Sequence, residues 1–231
     1  MHHAAAARQW MPDFRLEDAA GGIAIGVDEA GRGPWAGPVS VAACWLDRSQ
    51  PDQIPEGLDD SKKLAAARRA DMFGRLTRGP HLFNLTHVDV ATIDRIGILK
   101  ATLAAMAEVA AALAAQIQQA GHDAVTEVLV DGNQMPPTDL PSRCVVRGDA
   151  TSLSIAAASV IAKHSRDMVM AELDKTFPGY GWAQNMGYGT AQHRDAIDRL
   201  GITIHHRRSF APIRRHLEFE GKPVDHGDPV A

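Results

Sequence analysis

Cysteine is scarce: the 231 residues include only Cys44 and Cys144. Their separation fits no metal-ligand spacing, which excludes a zinc site built on thiolates. A single disulfide and two buried thiols in a reducing cytosol are the alternatives, and the second is expected. Positive charge is not in excess either. Lys and Arg total 24 against 28 Asp and Glu, for a formal net charge of −4. A basic sheath coating nucleic acid along the whole surface is thereby excluded, whereas a local basic patch is not. Long apolar runs are also missing. The most apolar stretch, 93–117, is broken by Asp94, Arg95, Lys100 and Glu108, whereas a bilayer span takes about 20 nearly charge-free residues. Met1-His2-His3-Ala4 does not open an apolar signal segment. The expectation is a cytoplasmic protein without membrane contact.

What is present is the composition of a globular chain, 45% hydrophobic and 23% charged, with the length of one domain and a small appendage. Residues 1–20 read as a flexible lead-in, 21–180 as the main domain, 181–220 as a helical part of the same domain, and 221–231 as a loose tail rich in Pro and Asp. Apolar runs predict strands at 23–27 and 39–46, with a Gly- and Pro-rich loop between them. A helix capped by Asp60 or Ser61 should run through Leu64, Met72, Phe73 and Leu76. An alternating strand follows at 81–88. Thr92 then opens one long helix with apolar steps of three or four, ended by Gly121. Strands at 127–131 and 143–147 precede a helix led by Asp149 that stops at Pro178-Gly179. This order predicts a mixed α/β domain with a helical C-terminal extension.

Three acidic positions stand where such a fold concentrates chemistry. Asp28-Glu29 follows the first strand directly. If that strand is ending in glycines, both carboxylates can reach one cation. Asp131 ends the buried strand of Val128, Leu129 and Val130, and Asp149 stands before a helix. Taken singly, Asp28 and Glu29 are equally solvated loop acids, Asp131 a turn residue, and Asp149 a helix N-cap. Taken together, carboxylates on neighbouring strand ends would repel unless a cation lay among them. Oxygen-only ligands suit Mg²⁺ or Mn²⁺ rather than zinc. The loop Gly31-Arg32-Gly33 lets backbone approach a ligand closely. It is not a phosphate-binding Walker loop, and Gly37 falls one position late for the dinucleotide fingerprint.

These residues resemble a known family. Gly26-Val27-Asp28-Glu29-Ala30-Gly31-Arg32-Gly33-Pro34, with Ala36-Gly37-Pro38-Val39, is similar to the opening signature of ribonuclease HII, the type 2 ribonuclease H. Further blocks follow in the family's order: Asp60-Ser61-Lys62-Lys63-Leu64, Asp131-Gly132-Asn133, Gly148-Asp149, Ser154-Ile155-Ala156-Ala157-Ala158-Ser159, Ala162-Lys163 with Arg166-Asp167, Gly187-Tyr188 with Thr190 and His193, and His206-Arg207 with Ser209-Phe210. The resemblance spans residues 23–216. It implies an RNase H-like mixed sheet flanked by helices, with the catalytic domain at 21–180. It implies an endonuclease that cuts the RNA strand of RNA–DNA hybrids and cuts at single ribonucleotides in duplex DNA, leaving a 3′-hydroxyl and a 5′-phosphate, as ribonucleotide excision repair requires. Carried over by position, the acids are Asp28, Glu29, Asp131 and Asp149. Gly31, Arg32 and Gly33 would contact the ribose 2′-hydroxyl, and Tyr188 would stack on the next sugar. Trp35 and His164 depart from the family's usual residues.

Two divalent ions held by four carboxylates would activate a water and neutralise the leaving oxygen. In this scheme Asp28 bridges both ions, Glu29 and Asp131 complete their spheres, and Asp149 holds the ion nearer the water. Nucleic-acid affinity must come from local charge. The run 205–216 has four arginines, three histidines and no acid. Phosphate contacts are expected from Arg207 and Arg208, and from Lys62 and Lys163, with solvated helix faces as the alternative. A different metal-dependent phosphotransferase and a non-catalytic hybrid-binding module are the rival classes. The tail 221–231 has no aromatic residue, so no clamp-binding peptide is expected, and a monomer is the default.

Overall fold

The computed structural model describes residues 11–220. A short helix α1 (Arg15–Ala19) leads into strands β1 (Ile23–Ala30) and β2 (Val39–Trp45). Helix α2 (Ala66–Arg78), strand β3 (Leu82–Val88), and helices α3 (Val90–Ile96) and α4 (Ile98–Gln119) follow. Strands β4 (Val125–Asp131) and β5 (Ser142–Val145) precede the long helix α5 (Leu153–Thr176). Three helices close the chain: α6 (Trp182–Asn185), α7 (Ala191–Leu200) and α8 (Ala211–Glu220). The strands form one sheet in the order β3-β2-β1-β4-β5. β1 is antiparallel to β2 and parallel to β4, and β4 is parallel to β5. The expected mixed α/β architecture is the one found.

Alternation along the strands divides the core. Ile25, Val27, Val41, Ala43, Val128 and Val130 face α4, where they meet Met106, Val109, Leu113 and Ile117. Ala30, Ala42 and Cys44 face α2 and α5. Gly26 lies on that second face, and a Cβ there would sit 2.2 Å from the Ile155 amide nitrogen. The missing side chain therefore lets the first turn of α5 rest directly on β1.

Several boundaries differ from the sequence expectation, each for a local reason. The single helix expected from Thr92 to Gly121 is broken at Gly97, whose φ of +84° is left-handed backbone that favours glycine. Asp89 caps α3 by accepting a hydrogen bond from the Thr92 amide. The break leaves Asp94 and Arg95 in α3. The remaining helix, Ile98–Gln119, is long and apolar enough by length and composition to cross a membrane. Its buried side is the one packed on the sheet. Helix α2 starts at Ala66 because Asp60 and Ser61 serve other partners: the Asp60 carboxylate accepts from the Lys62 amide, and the buried Ser61 meets Ser159 on α5. Ser152, not Asp149, caps α5.

The lead-in expected over 1–20 is ordered at its second half. Glu17 on α1 is buried, and its carboxylate accepts from the hydroxyls of Ser152 and Ser154. The N-terminal half of that lead-in and the tail 221–231 lie outside the described residues. The 181–220 part folds back on the domain: Trp182, Ala196, Ile197 and Ile213 pack with Ala36, Met170 and Tyr180. Both cysteines are free, but only Cys44 is buried; Cys144 is half-exposed to its surroundings on β5.

Gly26→Ala should cost about 1–3 kcal/mol or more, because backbone rather than a flexible side chain stands in the way. A thermal midpoint equal to the parent's would show that α5 does not rest on β1 at this point.

Candidate active site

The register of β1 and β4 brings two acids together. Val27 pairs with Val130 in the parallel ladder, so the next residues, Asp28 and Asp131, stand beside each other on strands about 4.8 Å apart. Both face α5. Glu29 does not. β1 continues to Ala30 because its antiparallel pairing with β2 extends to Ser40, so Glu29 points to the opposite face from Asp28. The expectation that the strand ends and frees both side chains towards one side is thus corrected. Glu29 still reaches the rim, because β4 stops at Asp131. There it lines a cleft with Asp131, Gly132 and Asn133, and its carboxylate accepts from Arg32 at 3.3 Å.

Asp28 is buried, 3% exposed. Its Oδ1 accepts from the Glu29 amide at 2.7 Å, and Ser159 hydrogen-bonds it from α5. Burial, then Glu29 and Asp131, hold its carboxyl well above the usual carboxylate range. Burial also raises Glu29, against the pull of Arg32. Asp131 accepts from the Gly148 amide at 2.7 Å. That contact ties β4 to the tight turn 148–150, where Asp149 sits. Burial, followed by Asp60 and Asp131, pushes Asp149 up to about 6, with Lys62 acting in opposition. Burial works to lower Lys62, but Asp28, Asp60, Asp149 and Asp131 together raise it. Lys62 thus faces the acid cluster.

Among the described residues no three Asp, Glu, His or Cys side chains already form a set of metal ligands. Each acid instead leans on a protein partner. The donors nonetheless fit a hard divalent cation. All are carboxylate oxygens, and their crowding favours protons that such a cation would displace. Asp60 joins this cluster as a neighbouring negative charge that raises Asp149. From sequence alone it read as a helix cap, because nothing local signals a partner about ninety residues away.

The loop Gly31-Arg32-Gly33 is held from behind by two buried arginines. Arg207 donates to the carbonyls of Gly31 (2.7 Å), Arg32 (3.0 Å) and Gly37 (3.0 Å). Arg166 donates to Pro38 (2.9 Å), Met186 (3.0 Å) and Ala36 (3.2 Å). Arg207 is 0% exposed, so the expectation that it touches phosphate is wrong. Its guanidinium is enclosed by the carbonyls of the loop it supports. Gly31 adopts φ +97°, and a Cβ there would lie 1.9 Å from Arg166 Nε.

The other expected contacts are placed differently. Arg208 is exposed, and its amide donates to Asp94. Lys163 pairs with Asp167, which also binds Arg69 at 3.1 Å. Lys163 and Lys62 line one cleft with Glu29, Gly31, Gly33 and Tyr188. That cleft shares Glu29 and Arg32 with the cleft beside Asp131, so one groove passes Glu29, Asp131 and the loop. Tyr188 is 49% exposed, and a Cβ on Gly33 would lie 3.4 Å from its ring. Trp35 packs behind the same turn: a Cβ on Gly189 would lie 2.1 Å from its ring. His164 stacks on Phe73 of α2 with ring centres 4.4 Å apart.

Comparison with known proteins bears on the family and the fold. The family model described as Ribonuclease HII matches residues 25–213. The Ribonuclease HII of Rhodospirillum rubrum is 51% identical over 215 residues, covering 92% of this chain and 95% of that protein. The ribonuclease H2 structure from Pyrococcus horikoshii OT3 superposes with a TM-score of 0.68 at 21% identity, covering 87% of this chain and 100% of the other. Bst-RNase HIII, solved in complex with Mn²⁺, gives 0.69 at 21% identity, covering 86% and 70%. At such identities these two structures speak for the fold.

Two outcomes follow from the site. An acid raised by folding keeps its proton longer in the folded chain, so stability falls as pH rises from the ordinary carboxyl range through about 6. Added Mn²⁺ should therefore raise the thermal midpoint more at about pH 8 than at about pH 5, where protons compete for the same oxygens. Equal shifts at both would count against these acids as the cation's holders. Arg207→Gln should lower the thermal midpoint and leave the salt dependence of nucleic-acid binding unchanged. A shallower salt slope would restore a phosphate contact.

Proposed function

The chain belongs to the ribonuclease HII family and is a metal-dependent ribonuclease, and from that premise we propose that it cuts the RNA strand of RNA–DNA hybrids and also cuts at single ribonucleotides embedded in duplex DNA. The products would carry a 3′-hydroxyl and a 5′-phosphate. The observation that supports this reading is the shared groove, in which Glu29, Asp131, the loop 31–33 and Tyr188 lie together, with Asp28 beside Asp131 on the neighbouring strand.

In this reading Asp28, Glu29, Asp131 and Asp149 would hold two divalent ions, Mn²⁺ or Mg²⁺. Such ions, when bound, supply an activated water and charge neutralisation at the leaving oxygen. The rest is the protein's own work. Asp28 and Asp131 sit on rigid strand ends, so their carboxylates are aimed without a large entropic loss. Lys62 places a positive charge beside the acids, where it also attracts the substrate's phosphate. Lys163 lines the same groove, and Arg208 contributes from the surface.

Selectivity rests on sugar chemistry. The 2′-hydroxyl is the local mark that separates a ribonucleotide from a deoxyribonucleotide. The loop 31–33 presents backbone groups, which read that hydroxyl without reading a base. Its carbonyls are already engaged by Arg207, so the loop is fixed before the substrate arrives. Tyr188 offers an exposed ring beside Gly33 on which a sugar can stack. Recognition by backbone and ring together implies cleavage that follows the ribose and not the sequence.

The test is cleavage of a duplex carrying one ribonucleotide, set beside the same duplex in all-DNA form, with and without chelator. Cutting is expected at the ribonucleotide alone and should vanish with chelator. Asp131→Asn should fold and lose at least ~100-fold in turnover, above the cost of losing an outer-shell partner. Near-parent turnover in that variant, with cation in excess, would remove Asp131 from the site.

A further inference from the structure

One buried polar cluster is used by neither the acids nor the loop, and it lies behind Tyr188. His193 and His206 are 0% and 1% exposed. Their rings meet through Nε2 atoms 3.2 Å apart. The surrounding donors determine where the ring protons sit. The Thr203 amide donates to His206 Nδ1 at 2.9 Å, so His206 carries its proton on Nε2. The Trp182 indole N–H donates to His193 Nε2 at 3.0 Å, so that nitrogen is an acceptor and takes the His206 proton as well. His193 must then carry its own proton on Nδ1, which lies 2.9 Å from the Tyr188 carbonyl oxygen. A second proton on either ring would set N–H against N–H. Burial lowers both rings, His206 to about 3, in keeping with two neutral imidazoles.

The chain of donors ends on a backbone turn that is held from its other side too. The Trp35 amide donates to the Gly187 carbonyl at 2.8 Å, and the Gly187 amide donates to Asn185 Oδ1 at 2.8 Å. Tyr188 thus sits on a turn fixed at 187 by the loop that follows residues 31–33, and at 188 by His193. We propose that the His206–His193 pair is a positioning device for Tyr188: its single allowed pattern of ring protons aims one N–H at the Tyr188 carbonyl and sets the exposed ring beside Gly33. The pair touches no substrate and acts through the tyrosine. This rests on the reading of Tyr188 as the residue that stacks on the sugar.

The test measures kcat and KM on the single-ribonucleotide duplex for the full chain and four variants. Tyr188→Ala tests the stacking reading by itself. His193→Asn keeps a donor near the Nδ1 position, whereas His193→Gln shifts it to the Nε2 side. His193→Gln should lose roughly tenfold, mainly in kcat, as misplacement of a positioning contact does. His193→Asn should recover most of that loss. In the Tyr188→Ala background, His193→Gln should add little, because residues acting through one another are not additive. A folded His193→Gln with parent kinetics would overturn the device, as would equal losses in both backgrounds. If Tyr188→Ala itself cleaves like the parent, the stacking reading fails and the device fails with it. If His193→Gln does not fold, Trp182→Phe carries the same test, since it keeps an aromatic ring in the core, though a smaller one, and removes the donor to His193. A loss of a few-fold that disappears in the Tyr188→Ala background is expected, and no loss would overturn the proposal.

Discussion

Everything in the groove depends on carboxylates held closer than water would allow. β1 and β4 run parallel with Val27 opposite Val130, so Asp28 and Asp131 have no freedom to move apart. Two hydrogen-bonded strands fix their spacing, and α5 shields Asp28 from solvent. Burial, and after it the repulsion, raises the affinity of Asp28 and Asp149 for protons. A fold that simply maximised stability would not gather these charges. Their concentration makes sense as a demand for positive charge, which Lys62 meets in part from within the chain and a divalent cation would meet from outside it.

The loop beside the acids obeys the opposite logic. The carbonyls of Gly31 and Arg32 converge on Arg207, and those of Ala36 and Pro38 just after the loop on Arg166, two guanidinium groups that lie inside the protein. A guanidinium presents five donors in one plane, which suits carbonyls arriving from several directions. Rigidity in the loop therefore comes from cations buried in the scaffold, and readiness in the acids comes from anions left in want of a cation. The two arrangements meet at Arg32, whose carbonyl serves Arg207 and whose side chain serves Glu29.

Much of this was legible in the sequence. Apolar runs ending in acids marked β1 and β4, and the glycine loop lay where the strand pattern put it. Three features were hidden because they depend on partners remote in the chain. The burial of Arg207 could not be read from a run of cations without acids, since its partners are carbonyls near residue 31. The opposite orientation of Asp28 and Glu29 turned on how far β2 pairs with β1. The break before α4 turned on the backbone of Gly97, within a run whose apolar spacing continues on both sides of it. Propensity and periodicity are local quantities, whereas burial and register are settled by the assembled molecule.

The contact between residues 31 and 207 also bears on the order in which the molecule is made. The sheet with its acids is complete in sequence by residue 149, whereas the arginine that braces the loop, at 207, leaves the ribosome later. Nascent chains fold as they emerge. An unfinished polypeptide released before that arginine would hold the four acids yet leave residues 31–33 slack, so the loop's rigidity is acquired after the sheet.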